Sequence, residues 1–252
     1  MQRIESTQDK SQPSPPLRLV QNIMAWRSRQ ARPPLSKFSS PAVPNSGWSS
    51  QNFMLGAGMV IIQPSTHKIV VVYDTKQKYW FFPRGRKDAG ESLEVTAIRE
   101  AYEESGYQVE FLPLYTPSHA PPPPNERDFY TRPNTEPFYM TITSWAPGGK
   151  RKHGGEYLTS WYIGQIPKDA VHTPGTGMAD EQNFKSYLLT YEEVMDRVTG
   201  NERHVLYYAW TVYLDTLRIE EDKRRRGSRS IRTSSDDNIA KDTRRDSRAP
   251  SA

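Results

Sequence analysis

Apolar and β-branched residues come in short runs through the middle of the chain and thin out towards both ends. Residues 54–63 (MLGAGMVIIQ) and 68–73 (KIVVVY) have the length and β-branched content of strands, with Pro64-Ser65-Thr66 between them, and predict a hairpin or neighbouring strands. Residues 79–82 predict a short aromatic strand that Pro83 ends. From Arg84 to Glu91 the pattern lapses into a loop, where Gly85 and Gly90 allow tight turning. The period then changes. Ser92 as N-cap, Glu94 in the first turn and Gly106 after the last frame a helix over 93–105. On that helix Val95, Ile98 and Tyr102 are expected opposite the acidic residues, with Leu93 and Ala97 on the acidic side. Further strands are expected over 107–112, 136–145, 156–166 and 182–189. A short helix over 191–198 and a longer amphipathic one over 203–220 follow.

The remaining stretches lack such periods. Residues 1–48 mix Ser, Pro and Arg, apart from Leu19, Val20, Ile23, Met24 and Trp26, whose spacing suits two turns of amphipathic helix. Residues 113–137 hold the run Pro121–Pro124 and predict a long exposed loop of polyproline II character. The expected organisation is a disordered segment over 1–48, one domain over 49–220 and a basic disordered tail over 221–252, which suits the 21 prolines and the 35% hydrophobic content. The formal net charge of +5 belongs to that tail, where ten Lys and Arg stand against four Asp from Lys223 onward. The tail offers RNA a set of phosphate contacts, or is simply solvated. The absence of cysteine excludes disulfides and thiol catalysis, and no apolar run approaches the roughly 20 residues that span a bilayer. A soluble protein of the cytoplasm or nucleus, with no membrane contact, is expected. The pattern sets no oligomeric state.

The chemistry is concentrated in residues 85–107. On a helix advancing about 100° per residue, Glu100, Glu103 and Glu104 share one face. Three like charges there repel one another unless something cationic sits among them, and a hard divalent ion such as Mg²⁺, with Mn²⁺ as a relative of the same class, takes oxygen ligands of this kind. The five histidines, His67, His119, His153, His172 and His204, show no metal-ligand spacing.

Read in full, the stretch is Gly85, five residues, Glu91, seven residues, Arg99-Glu100-Ala101-Tyr102-Glu103-Glu104-Ser105-Gly106-Tyr107. It resembles the signature of the Nudix hydrolases, G-x5-E-x7-R-E-U-x-E-E-x-G-U with U apolar, and every fixed letter is present. The resemblance implies an α/β/α sandwich with a mixed sheet. It also implies metal-dependent cleavage of a phosphoanhydride bond in a small-molecule polyphosphate. By the same resemblance Glu100, Glu103 and Glu104 bind metal, the Gly85 carbonyl supplies a further ligand, and Arg99 with Glu91 holds the carboxylates in place. The general base lies in the motif helix or in a later loop, where Glu181 matches loosely. Trp80-Phe81-Phe82-Pro83-Arg84-Gly85 resembles the W-x-x-P-K/R-G lead-in of members that act on dinucleoside polyphosphates, diphosphoinositol polyphosphates or capped RNA. Arg84, Arg86 and Lys87 are then phosphate contacts, and the basic loop Lys150-Arg151-Lys152-His153 could add others. Arg86 stands where inositol-type members usually have glycine, which leans towards a decapping-like enzyme; a catalytically inactive Nudix-fold binding protein is the remaining alternative.

Overall fold

The structure, a computed structural model, describes residues 36–39, 46–148, 153–179 and 181–246, with backbone alone at Tyr130 and beyond Ser228. The chain divides into two units, Met1–Ser49 and Ser50–Ala252. In the first, the Ser39 N–H donates to the Ser36 carbonyl (3.1 Å) and closes a turn. The apolar patch at Leu19–Trp26 and the basic residues Lys150, Arg151 and Lys152 lie outside the described residues.

The second unit is built on an eight-stranded mixed sheet. Its axis is the pair β1 (Phe53–Gln63) and β7 (Gly155–Gln165), which run parallel from Phe53↔Glu156 to Ile62↔Gln165. β1 also pairs antiparallel with β2 (Lys68–Asp74), making the expected hairpin, and with β4 (Arg84–Arg86). β2 carries β3 (Tyr79–Phe81) and β8 (Phe184–Leu189), while β7 carries β5 (Glu110–Phe111) and β6 (Tyr139–Trp145). The helices are α1 (Leu93–Ser105), α2 (Tyr191–Met195) and α3 (Asn201–Asp246).

Strand alternation sorts the core into two layers, because successive side chains leave opposite faces. Ala57, Met59 and Ile61 of β1 and Val70 of β2 pack with Ala97 and Ala101 of α1. Val60, Ile62, Ile69 and Val71 face the other way, onto Val194 and Val198 and onto Val205, Leu206, Ala209, Val212 and Tyr213 of α3. Helices on both faces of a mixed sheet make the expected α/β/α sandwich.

The face of α1 turned to the sheet, Thr96, Ala97, Glu100, Ala101 and Ser105, includes Ala97 on the acidic side as expected, and Val95, opposite it, is 57% exposed. Three details depart from the sequence reading. The stretch over 84–86 is a strand; Arg-Gly-Arg has no strand propensity, and its pairing with Gly56–Gly58 is a matter of backbone alone. The strand expected over 107–112 is reduced to Glu110–Phe111. Lastly, α3 continues past Glu220 to Asp246. Its buried positions end at Thr216 among the described side chains. The loop over 113–137 is fastened at its neck by paired backbone bonds between Leu114 and Asn134 (2.9 and 2.8 Å).

Candidate active site

The α1 helix starts and stops where its caps dictate. The Ser92 hydroxyl accepts from the Val95 N–H (3.2 Å), and Gly106 takes a left-handed conformation (φ 73°) with its N–H on the Tyr102 carbonyl (2.8 Å). That framing fixes the rotation of Arg99, Glu100, Glu103 and Glu104 against β4. Arg99 is the hub. Its Nε and Nη2 donate to the two oxygens of Glu91 (2.9 and 3.0 Å), and Nη1 donates to Glu100 Oε1 and to Glu103 Oε2 (both 2.8 Å). Nη2 also reaches the Arg86 carbonyl at 3.0 Å. One guanidinium thus gathers three carboxylates and ties them to β4, an arrangement in which the planar fork is stronger than a point charge.

The glycines beside it are there for space. A Cβ on Gly85 would lie 2.0 Å from the Glu100 carboxyl carbon, and one on Gly56 would lie 2.4 Å from the Gly85 carbonyl oxygen. Burial raises the pKa of Glu100 against the lowering effect of Arg99. It raises that of Glu104 well above the usual carboxylate range, with the charges of Glu100 and Glu181 adding to the effect. Glu104 keeps an edge at the surface, yet its carboxyl group is crowded by protein atoms, and the Arg84 N–H donates to it at 2.7 Å. Glu91, chelated by Arg99, is held down to about 2.

Arg84 itself is turned away from these carboxylates. Its Nη1 pairs with Glu202 in the first turn of α3 and donates to the Phe82 carbonyl (3.3 Å), and its guanidinium lies over the rings of Phe81 (5.6 Å) and Trp161 (6.0 Å). Glu202 also accepts the Phe82 N–H at 3.0 Å, and burial pushes its pKa up to about 7. Arg86 is exposed, and Lys87 reaches back to the Asp88 carbonyl (3.0 Å).

Glu181 lines a cavity of about 620 Å³ together with Glu103, Glu104, His172, Phe184 and Lys185. Its carboxylate accepts from the Met178 N–H at 2.8 Å. The segment carrying it is stitched to the end of α1 by the Thr176 hydroxyl, which reaches the Tyr102 and Glu103 carbonyls (3.0 and 2.9 Å). A second cavity, of about 780 Å³, lies among residues such as Gln108, Lys168 and Val171 and holds none of the motif residues. His67 is engaged by the Tyr213 hydroxyl (2.7 Å), and His172 packs edge-on against Tyr107.

The structure therefore brings together Gly85, Glu91, Arg99, Glu100, Glu103, Glu104 and Glu181, and sets Arg86 and Lys87 at the rim. Sequence reasoning missed Gly56 and Glu202, which lie outside the motif and carry no local pattern. Among the described residues no three His, Cys, Asp or Glu side chains stand ready to ligate one ion together, since Arg99 engages Glu100 and Glu103 while Glu104 turns to the Arg84 N–H. The donor chemistry nonetheless suits a hard divalent cation: three carboxylates and a carbonyl, all oxygen, in a cradle with no room for a Cβ at Gly56 or Gly85.

The NUDIX domain family model matches residues 52–211. A curated mouse protein, nucleoside diphosphate-linked moiety X motif 6, is 37% identical over 62 residues, which are 24% of this chain and 20% of that protein, so the chain matches about a fifth of its relative's length. Among solved structures, a C. elegans Ap4A hydrolase is 14% identical with a TM-score of 0.39, covering 64% of this chain and 98% of that one. The E. coli dihydroneopterin triphosphate pyrophosphohydrolase is 13% identical with a TM-score of 0.37, covering 60% and 91%.

Proposed function

The chain belongs to the NUDIX domain family, and from that premise we propose that it is a Mg²⁺-dependent pyrophosphohydrolase that cleaves a phosphoanhydride bond in a nucleoside- or inositol-polyphosphate substrate. The observation that carries this reading is the Arg99 hub, which collects Glu91, Glu100 and Glu103 beside a glycine that must be glycine. Inactive relatives would have no need to keep so many buried, mutually repelling carboxylates, because each carries a desolvation cost. Mg²⁺, or Mn²⁺ in its place, held by Glu100, Glu103, Glu104 and the Gly85 carbonyl, supplies charge neutralisation at the phosphates, a more acidic attacking water and a stabilised leaving group.

The protein's own residues do the rest. Arg99 and Glu91 keep the carboxylates from springing apart, and the Arg84 N–H holds Glu104. Arg86 and Lys87 meet phosphate oxygens at the rim. Water attacks phosphorus, the anhydride oxygen leaves with its bonding pair, and the water's proton passes to a carboxylate facing the cavity, Glu103 or Glu104 on α1 or Glu181 across from them. The group beyond the phosphates has the 620 Å³ cavity available to it.

An RNA-decapping activity is a second reading, favoured by exposed Arg86 and by the exposed run Lys223–Arg226 on α3. Among the described residues no helix is long and apolar enough to cross a membrane, and action in the cytoplasm or nucleus belongs to the same proposal. The test is the double variant Glu103→Gln, Glu104→Gln, assayed for Mg²⁺-dependent phosphate or nucleotide release. The substrates are dinucleoside polyphosphates, diphosphoinositol polyphosphates and capped RNA. Loss of turnover on whichever substrate the wild type cleaves is expected, and undiminished turnover would overturn the site.

A further inference from the structure

Tyr157 lies on β7, between Met54 of β1 and Thr143 of β6. Its hydroxyl is closed to solvent and has no hydrogen-bond partner among the described residues. Burial raises its pKa; Thr159, two positions along the strand, is near enough to oppose that rise but does not complete a hydrogen bond. An O–H buried in this way has given up its hydration with no return, so the position would favour phenylalanine unless something else uses the oxygen.

Its surroundings indicate what that is. A Cβ on Gly56 would fall 2.2 Å from the Tyr157 hydroxyl oxygen and 2.4 Å from the Gly85 carbonyl oxygen, so the two oxygens flank the same glycine. On its other side Gly85 abuts the Glu100 carboxylate. Arg84, Glu100 and Glu104 are the charges that act on the phenol. Of the charged donors nearby, Arg84 is turned to Glu202 and Arg99 is taken up by Glu91, Glu100 and Glu103. A neutral hydroxyl is the donor that remains.

We infer that Tyr157 is a further residue of the active site, whose O–H donates to an oxygen brought in beside the Gly85 carbonyl and orients it. The oxygen belongs either to a water of the bound cation or to the substrate's phosphate. The inference rests on the pyrophosphohydrolase reading.

Tyr157→Phe in the full chain removes the oxygen and keeps the ring. Without ligands the variant is expected to melt at the wild-type temperature or above it, since it sheds an unpaired buried group. Calorimetric titration then uses two probes, Mn²⁺ alone and imidodiphosphate in the presence of Mg²⁺. A loss of affinity of about ten-fold or more with Mn²⁺ alone supports the inference and assigns the oxygen to the cation's water. A loss of that size confined to imidodiphosphate supports it and assigns the oxygen to phosphate. Affinities within two-fold of wild type for both probes overturn it, as does a lower melting temperature with unchanged binding, which would show that the hydroxyl has a structural partner. A wild-type chain that binds neither probe overturns the hydrolase reading itself.

Discussion

Glu91 shows how a single ion pair enters the stability of the site. Chelation by Arg99 lowers its pKa from 4.5 to about 2 in the folded chain. A carboxylate depressed in this way contributes stability that is fully present above its unfolded pKa and is lost as pH falls through the folded one. Glu91→Gln should therefore lower the melting temperature at neutral pH, with a gap to wild type that closes as pH falls from about 4.5 towards 2. A gap independent of pH in that window would show that the Arg99 fork holds Glu91 by geometry rather than charge. At this scale the sequence was most readable. Glu91, Arg99, Glu100, Glu103 and Glu104 lie within one turn-and-helix segment, so helical spacing alone assembles most of them. Gly56, Tyr157 and Glu202 come from β1, β7 and the start of α3, and nothing local marks them. They become visible only when the parallel pairing of β1 with β7 and the docking of α3 are known.

The elements divide the same way. Caps and β-branched runs made α1, β1 and β2 legible, whereas β4 is held by backbone pairing that Arg-Gly-Arg does not announce. The contact of α1 with the sheet is decided by size rather than hydrophobicity, through Thr96, Ala97 and Ala101. The junction of α3 with β4 carries a prediction of its own. Glu202, pushed up to about 7 by burial, takes up a proton on folding between its ordinary 4.5 and that value. The cost of keeping it charged is absent below about 4.5 and complete above about 7, the reverse of the case at Glu91. Glu202→Gln keeps an acceptor for the Phe82 N–H and removes the charge. Its stability relative to wild type should rise steadily from pH 4.5 to 7. Denaturant unfolding at those two pH values measures this. A relative stability that falls over the interval would mean that the Arg84 ion pair outweighs burial.

Over the whole molecule, packing and charge occupy different lengths of α3. The side chains that join the core end at Thr216, while Glu220 and Lys223 meet Tyr115 of the proline-rich loop and the residues from Arg224 to Ser228 are exposed. Because the packed side chains among those described end before Arg224, deleting residues 224–252 should leave the denaturant midpoint close to that of the full chain. The full chain's affinity for single-stranded RNA, measured at two salt concentrations, should drop with salt and be lost in the deletion. Equal binding by the shortened chain would remove the tail from the decapping reading. Gly56 has a consequence of a different kind. It stands in β1, nearly thirty residues before Gly85, yet it admits no methyl group because the Tyr157 hydroxyl and the Gly85 carbonyl share its space. In a library of single substitutions scored for turnover, Gly56 should behave like a motif residue, and a β1 glycine would be the outlying mark by which the extent of the catalytic cradle is read from phenotype alone.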